Sequence, residues 1–287
     1  MKKINLDGVN DAPSLKAANV GVAMGITGTD VAKGAADIVL QDDSFTTIEK
    51  AIKEGRNIYD NIKKTILFAV SGNISEVVTM FVSVVLGFAA PLKAVQILWV
   101  NLVTDSMPCF ALGVDTNSSH DVMSKPPRKE GESIFAHGGF KLVAIYSVLI
   151  SILTLAGFLF LPISNLMSNG TTITLGNIAA QYDAVEILER SGTYAFCILG
   201  ISQLFHAIGM RDIENSVLKF NWKDNKIMIW AFIVGLVGQI LLTEVPFLIN
   251  TFGTVGLTIK EWIGIIAVSA MPMVMHEILV PFNRKQK

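Results

Sequence analysis

The sequence predicts a mainly α membrane protein in which six transmembrane helices follow an incomplete α/β domain. Hydrophobic residues make up 51% of the 287 residues, charged residues make up 16%, and the mean hydropathy is positive. This composition is typical of a chain that lies mostly in a bilayer. The six long apolar stretches come after a polar amino-terminal region with two short apolar runs, at Val20–Met24 and Ile38–Leu40.

The amino-terminal region, residues 1–47, is predicted to be an α/β fragment. Its two short apolar runs have the length of buried strands that alternate with helical pieces. A parallel sheet is normally covered by helices on both faces, and this region is too short to build such a core alone. A missing upstream portion is therefore expected. Residues 48–63 are charged, have a helical pattern and form a predicted stalk helix that continues into the first apolar stretch.

Each of the six apolar stretches has about the length needed to cross a 30 Å hydrocarbon core. They cover residues 64–88, 94–113, 140–162, 193–210, 227–249 and 261–280. The region 64–113 then contains the first two membrane helices, and 114–139 is the loop that follows them. The region 140–287 contains four further membrane helices and a tail.

The distribution of charge predicts the orientation and the partners. Lys and Arg concentrate after the second, fourth and sixth stretches, for example at Arg128, Arg211 and Arg284. By the positive-inside rule, both termini and the loop 114–139 are predicted to be cytosolic. A net charge of −1 argues against a nucleic-acid partner, because phosphate contacts need a basic stripe. The lipid bilayer is the predicted partner.

The segment Asp7-Gly8-Val9-Asn10-Asp11-Ala12-Pro13 carries the first candidate site. Gly- and Asn-assisted turns hold two carboxylates close together beside a helix start, and such groups suit a hard cation such as Mg²⁺. A turn rich in Asp and Asn is also often no more than a turn. The residues alone leave both interpretations open.

The second candidate site lies inside the predicted membrane. Asn73 and Glu76 are three residues apart on one face of the first span, while Asn101, Thr104 and Asp105 form a polar patch in the second. Carboxylates at membrane depth are costly and are functional candidates by default. Oxygen ligands without Cys or His favour a hard ion such as Ca²⁺. The alternative is a structural hydrogen-bond network between helices.

Four polar residues near the predicted span ends are expected to play ordinary roles. Each can bond locally or place its polar tip at the interface. They are Glu244, His206, His276 and Glu277. None is predicted to belong to a site.

The first motif resembles the hinge motif that ends the haloacid-dehalogenase-like phosphorylation domain of P-type ATPases. The similarity continues through Ala23-Met24-Gly25, Val31-Ala32-Lys33, Ala36-Asp37-Ile38-Val39-Leu40 and Asp42-Asp43. The resemblance implies that Asp7 helps to hold the catalytic Mg²⁺, used with ATP in the complete pump, and that Asn10 and Asp11 complete the site around the phosphoryl group. One departure is that Asn5-Leu6 stands where the family has Thr-Gly.

The membrane segments resemble the fifth and sixth helices of sarcoplasmic-reticulum-type calcium pumps. The matching runs are Asn73-Ile74-Ser75-Glu76-Val77-Val78 and Trp99-Val100-Asn101-Leu102-Val103-Thr104-Asp105, with Pro108 after them. The resemblance implies that Asn73, Glu76, Asn101, Thr104 and Asp105 bind Ca²⁺. It places Gln203 where these pumps have a glutamate. Gln203 is thus expected to contribute weakly, and one Ca²⁺ per cycle is favoured over two.

The function implied by this resemblance is the membrane domain of an ATP-driven cation pump. It would export calcium from the cytosol through an aspartyl-phosphate cycle, as a multi-pass protein of the cell membrane. The phosphorylated aspartate and the nucleotide domain are absent from this sequence, so the chain alone is predicted to be inactive. An amino-terminal portion, in the same or a separate chain, is the expected partner. The alternatives are a non-catalytic truncated remnant, a subunit of a split pump, or transport of manganese.

Overall fold

The computed structural model describes most of the chain. The described residues are 3–5, 8–116, 122–124, 126–129, 131–220 and 222–284, with the backbone alone for 3–5, 222 and 284. They divide into two compact units. Residues up to 59 and the described part of segment 121–126 form the first unit, and the remaining residues form the second.

The first unit is built on a parallel sheet of strands β1 (Lys3–Asn5), β2 (Val20–Met24) and β3 (Ile38–Leu40), in that order. Val22 of β2 pairs with residue 5 of β1 and with Ile38 of β3. Helices α1 (Ala12–Ala17) and α2 (Asp30–Ala35) connect the strands.

The central strand β2 is buried on both faces, as its continuous apolar run predicts. Ala23 packs against Leu15 and Ala32 on one face, whereas Val22 and Met24 pack with β3 on the other. Alternate residues of a strand point to opposite faces, so β2 separates two small cores. The predicted α/β fragment is confirmed.

The long helix α3 (Phe45–Val85) begins in the first unit and ends in the second. It contains no proline, so its backbone bonds run without a break from the predicted stalk into the first apolar stretch. Gly87, two residues beyond the end of α3, has a φ of 78°, which lies in the left-handed region. Phe88 N–H donates to Ser83 C=O at 2.9 Å, which is the six-residue bond of a glycine-ended helix.

The second unit consists of helices. They are α4 (Ala94–Trp99), a π-helical segment (Val100–Thr104), α5 (Ser106–Gly113), α6 (Gly139–Ser168), α7 (Leu175–Gln181), α8 (Val185–Met210), α9 (Lys226–Glu244), α10 (Pro246–Phe252), α11 (Ile259–Ser269) and α12 (Met271–Arg284). Among the described residues, six helical stretches have the length and apolar composition to cross a membrane. The prediction of six spans is thereby confirmed.

Helix α8 is the central helix of the second unit. It packs against α5, α6, α9, α11 and α12. In its most apolar part 94% of the residues are buried, compared with between 28% and 50% in the other spanning helices. The side chains of α8 therefore meet protein on nearly every side.

Candidate ion-binding site

Glu76 is the centre of a buried polar cluster in the second unit. Its side chain, 5% exposed, projects from α3. Asn101 Nδ2, from the π-helical segment, donates to Glu76 Oε2 at 2.9 Å, and Gln203 Nε2, from α8, donates to Oε1 at 3.4 Å. Two neutral amides from two other helices thus contact the two oxygens of one carboxylate.

Asp105 supplies the second carboxylate of the cluster. It follows the π-helical segment and is 6% exposed. A Cβ atom placed on Gly72 of α3 would lie 3.4 Å from Asp105 Oδ2 and 3.1 Å from Gln203 Nε2. Asp105 and Gln203 therefore approach the backbone of α3 at the same point, and the absent side chain of Gly72 makes this approach possible.

Several oxygens of the cluster are buried without a hydrogen-bond partner. Within the described part of the chain these are Thr104 Oγ1, Asp105 Oδ1 and Gln203 Oε1. Neither Glu76 nor Asp105 forms an ion pair with a described cationic residue. Buried charges are normally paired with an opposite charge or coordinate a metal. The two carboxylates thus need either protons or a bound cation, and the oxygen-only donor set fits a hard cation.

The π-helical segment results from local sequence. Asp105 N–H donates to Val100 C=O at 2.9 Å, a bond to the fifth residue back that widens the helix by one residue. Pro108, one turn later, has no N–H to donate to Thr104 C=O, and its ring crowds that carbonyl. The regular ladder is therefore interrupted where Asn101, Thr104 and Asp105 lie. Such interruptions occur often at functional sites.

The structure brings together most of the residues predicted for the ion site. Glu76, Asn101, Asp105 and Gln203 meet through the contacts above, and Thr104 is 1% exposed beside Asp105. Asn73 is the exception, since its side chain is exposed on α3. Three residues along a helix turn a side chain by about 60° relative to the first, which is enough to place Glu76 inside and Asn73 at the surface.

Sequence reasoning missed the buried residues that surround the cluster. His206 of α8 is 1% exposed, and its Nε2 lies 2.8 Å from Ser71 Oγ. Its ring packs on Tyr146, with ring centroids 4.0 Å apart. His206 was expected to reach the interface or to bond locally near a span end, whereas the structure buries it inside the helix bundle, where it bonds to a residue of α3. The sequence spacing could have indicated that His206 lies near the cluster, because His206 and Gln203 are one helical turn apart and share a face.

The predicted magnesium motif lies in the first unit. Asp7 lies outside the described residues. Asn10 is exposed and Asp11 is half-buried, in a short turn before α1. Gly8 N–H donates to Asp11 Oδ2 at 2.8 Å, which fixes this carboxylate in the turn. An amide and a carboxylate that reach solvent form an oxygen donor set that fits Mg²⁺.

Asp43 stabilises a turn that faces the end of β2. Its carboxylate accepts hydrogen bonds from Ile26 N–H at 2.9 Å and from Thr27 N–H and Oγ1–H, both at 2.7 Å. The Ile26 bond, followed by the Thr27 bonds, lowers the pKa of Asp43 to about 2. The φ of Asp43 is 49°, a left-handed conformation that Asp and Asn adopt more readily than most residues.

The described fold and cluster define a class of protein. It is a multi-pass membrane protein with carboxylate, amide and hydroxyl groups buried between its helices. The family model described as "Cation transporting ATPase, C-terminus" matches residues 89–282. The chain belongs to this family of P-type ATPases and carries its carboxy-terminal membrane part.

Relatives in bacteria, fungi and plants are similar along nearly the whole chain. Calcium-transporting ATPase 1 of Bacillus cereus is 44% identical, over 95% of this chain and 30% of the relative. The endoplasmic reticulum calcium ATPase of Aspergillus fumigatus is 36% identical, over 97% and 30%. Calcium-transporting ATPase 2, endoplasmic reticulum-type, of Arabidopsis thaliana is 34% identical, over 95% and 29%. The chain thus spans about three tenths of the length of these relatives.

Proposed function

We propose that this chain forms the membrane domain of an ATP-driven pump that exports calcium from the cytosol through an aspartyl-phosphate cycle. The observation that carries the proposal is the pair of buried carboxylates, Glu76 and Asp105, without a described cationic partner. The names of the similar proteins, which are calcium ATPases, support calcium as the ion.

In this proposal the ion binds between α3, the π-helical segment and α8. Glu76 and Asp105 supply negative charge, and Thr104 and Asn101 supply neutral oxygens. Gln203 supplies an amide oxygen where a carboxylate would add charge, so we expect one Ca²⁺ per cycle. No group of three or more His, Cys, Asp or Glu side chains in the described part of the chain is arranged to hold a metal ion.

Asn73 has a separate place in the proposal. Its exposed amide lies on the same helix as Glu76, on a face that is otherwise largely apolar. A polar side chain facing lipid is unfavourable, so we expect this face to meet another membrane segment. The missing amino-terminal portion of the pump is the proposed partner, and Asn73 would join the ion site there.

The phosphorylation step belongs to the complete pump. The sequence contains no Asp-Lys-Thr-Gly segment, so we expect the chain alone neither to hydrolyse ATP nor to transport ions. When bound, Mg²⁺ would neutralise the negative charge that builds up in phosphoryl transfer. Asp7, Asn10 and Asp11 would hold it, with the Asp11 carboxylate already fixed by Gly8 N–H.

The test compares calcium binding in the complete pump, with its amino-terminal portion present, between wild type and two variants. Asp105→Asn removes a buried carboxylate, and we expect binding weakened by about a hundredfold or more, because a full ligand charge is lost. Glu244→Gln makes the same chemical change at an exposed residue outside the cluster and should leave affinity within about twofold.

Wild-type calcium affinity in Asp105→Asn would refute the proposed site.

The same preparation tests whether calcium or manganese is the transported ion. Both ions favour hard oxygen ligands, so competition is needed to rank them. If manganese displaces calcium at much lower concentration and is itself transported, manganese is the cargo.

A further inference from the structure

A buried ion pair joins two of the helices that carry the ion cluster, at some distance from the cluster itself. Arg211, directly after α8, donates from Nε to Asp115 Oδ2 at 2.8 Å, and Asp115 lies two residues after the end of α5. Arg211 is 7% and Asp115 is 4% exposed. The pair is therefore shielded from solvent. Opposite charges attract each other more strongly in the protein interior than at its surface.

The third helix of the cluster meets this pair through Asn61. Asn61 of α3 is 4% exposed, and its Nδ2 donates to Asp115 C=O at 2.7 Å and to Gly113 C=O at 3.1 Å. The bond to Gly113 takes up a carbonyl at the end of α5, where the helix leaves its last carbonyls without internal partners. We call Asn61, Asp115 and Arg211 the polar knot.

The polar knot connects the same three helical segments that supply the residues of the cluster. Asn61 precedes Glu76 on α3, Asp115 follows Asp105 beyond α5, and Arg211 follows Gln203 on α8. At about 1.5 Å of rise per residue, the knot lies roughly 12–22 Å along each segment from the cluster. Helices are stiff over such lengths, so a shift of one helix end in the knot moves its ligand in the cluster.

Stability alone is a poor explanation for a buried ion pair. Desolvation of both charges offsets most of their attraction, and apolar pairs of similar volume are often as stable. Its better-attested use is to select one register between elements, since a sliding helix would pull two buried opposite charges apart. The knot meets that description because a slip of α5 or α8 would break the 2.8 Å bond.

We propose that Arg211 is a positioning residue for the ion site. Through Asp115 and Asn61, it fixes the relative height of α3, α5 and α8 and so the spacing of Glu76, Asp105 and Gln203. This inference rests on the proposed calcium site. It predicts that breaking the knot weakens ion affinity even where the fold is retained.

The test measures equilibrium calcium binding and the unfolding temperature of the complete pump. Arg211→Gln leaves Asp115 charged, whereas the double variant Asp115→Asn with Arg211→Gln removes both charges and keeps polar groups. Arg211→Lys retains the charge. The matched control is Arg190→Gln, which breaks the pair between Arg190 Nη1 and Glu261 Oε1, 2.6 Å apart, that joins α8 to α11 and touches neither α3 nor α5.

We expect Arg211→Gln to raise the calcium concentration for half-saturation about tenfold, a usual size for coupling between distant sites. The double variant should regain most of the unfolding temperature and keep the weakened affinity. Arg211→Lys should fall between wild type and Arg211→Gln, and Arg190→Gln should stay within about twofold of wild type.

Two results would overturn the inference while leaving the proposed function intact. One is wild-type affinity in a folded Arg211→Gln pump. The other is a double variant that regains both stability and affinity, which would make the knot structural. Absence of calcium binding in the wild-type pump would instead refute the proposed function, and the inference with it.

Discussion

Gly72 is the residue whose missing side chain shapes the ion cluster most directly. A Cβ there would lie 3.1 Å from Gln203 Nε2 and 3.4 Å from Asp105 Oδ2. Adding an atom to a well-packed site typically costs about 1–3 kcal/mol. In the complete pump we therefore expect Gly72→Ala to weaken calcium binding about fivefold or more, because α8 and Asp105 must move away from α3.

The control for this prediction lies on the same helix. Gly55 has no atom within 4 Å of its would-be Cβ, so Gly55→Ala should leave calcium affinity unchanged. It should also stabilise α3 by about 0.5–1 kcal/mol, since alanine favours a helix. Calcium titration of both variants tests this prediction. Equal calcium affinities in the two would show that the close approach at Gly72 does not affect calcium binding.

Asp43 gives the first unit a predicted sensitivity to acid. Its folded pKa of about 2 lies below the usual value near 3.9, so its stabilising effect is complete above about pH 4. The effect is lost as the pH falls from about 4 towards 2. We expect the protection of the Ile26 and Thr27 amides from hydrogen exchange to fall over this range, after correction for intrinsic rates.

Asp43→Asn is the matched variant for this titration. Asparagine tolerates the left-handed backbone at this position but carries no charge. Its amide protection should be lower than that of wild type at pH 5 and nearly constant between pH 5 and 2. A wild-type profile without a step would show that the carboxylate does not control this turn.

At the residue scale, the identity of the site residues was easier to predict than the side of the helix on which each one lies. Asp105 and Glu76 stand out in the sequence because carboxylates in apolar stretches are costly. The side of the helix on which each residue lies was harder to predict from the sequence. Asn73 and Glu76 share a broad helical face, yet packing of α8 against α3 buries one and leaves the other exposed. Which helix packs where is a long-range property that one sequence does not reveal.

At the element scale, we expect the π-helical segment to depend on Pro108. We expect Pro108→Ala to allow residue 108 to donate to Thr104 C=O and to draw the segment towards a regular helix. The spanning element should become more stable, because proline inside a helix costs about 3 kcal/mol. Calcium affinity should fall, since Asn101, Thr104 and Asp105 rotate relative to Glu76.

Pro162 of α6 provides the comparison for Pro108. It also lies inside a spanning helix, outside the cluster, and Pro162→Ala should raise stability without changing calcium affinity. Thermal unfolding and calcium binding of the two variants separate the effect of proline on stability from its effect on calcium affinity. If Pro108→Ala binds calcium as wild type does, the interrupted ladder is not needed for the site.

The number of spans was predictable from hydropathy, whereas their ends were not. The fifth predicted stretch, 227–249, is divided in the structure because α9 ends at Glu244 and α10 begins at Pro246. Proline cannot continue a helical ladder but is well suited to a first turn. Helix α7, capped by Thr174, was not predicted, because it is short and lies outside the apolar stretches.

At the scale of the whole molecule, we expect the six crossings, an even number, to place both ends of the chain on one side of the membrane. We expect a cysteine at Thr171, between α6 and α7, to react only with reagent added outside the cell. A cysteine at Leu218, which is 89% exposed between α8 and α9, should react only from the cytosolic side. The background needs Cys109 and Cys197 replaced, since both are free thiols.

Labelling of both positions from the same side would contradict this topology. A reversed pattern would keep the six crossings but place the termini outside. The prediction rests on basic loops, and orientation follows Lys and Arg near the membrane ends of short loops. Membrane permeabilisation, which should make both cysteines reactive, controls for accessibility.

The central position of α8 has a consequence for biogenesis. Protein surrounds this helix on nearly every side. It carries the buried polar residues Gln203 and His206, and its mean hydropathy is lower than that of α6. A segment of this kind partitions weakly into lipid by itself, whereas α6 partitions well. We therefore expect α8 to be retained by the insertion machinery until neighbouring helices can receive it, so that this part of the chain enters the bilayer as a group rather than helix by helix.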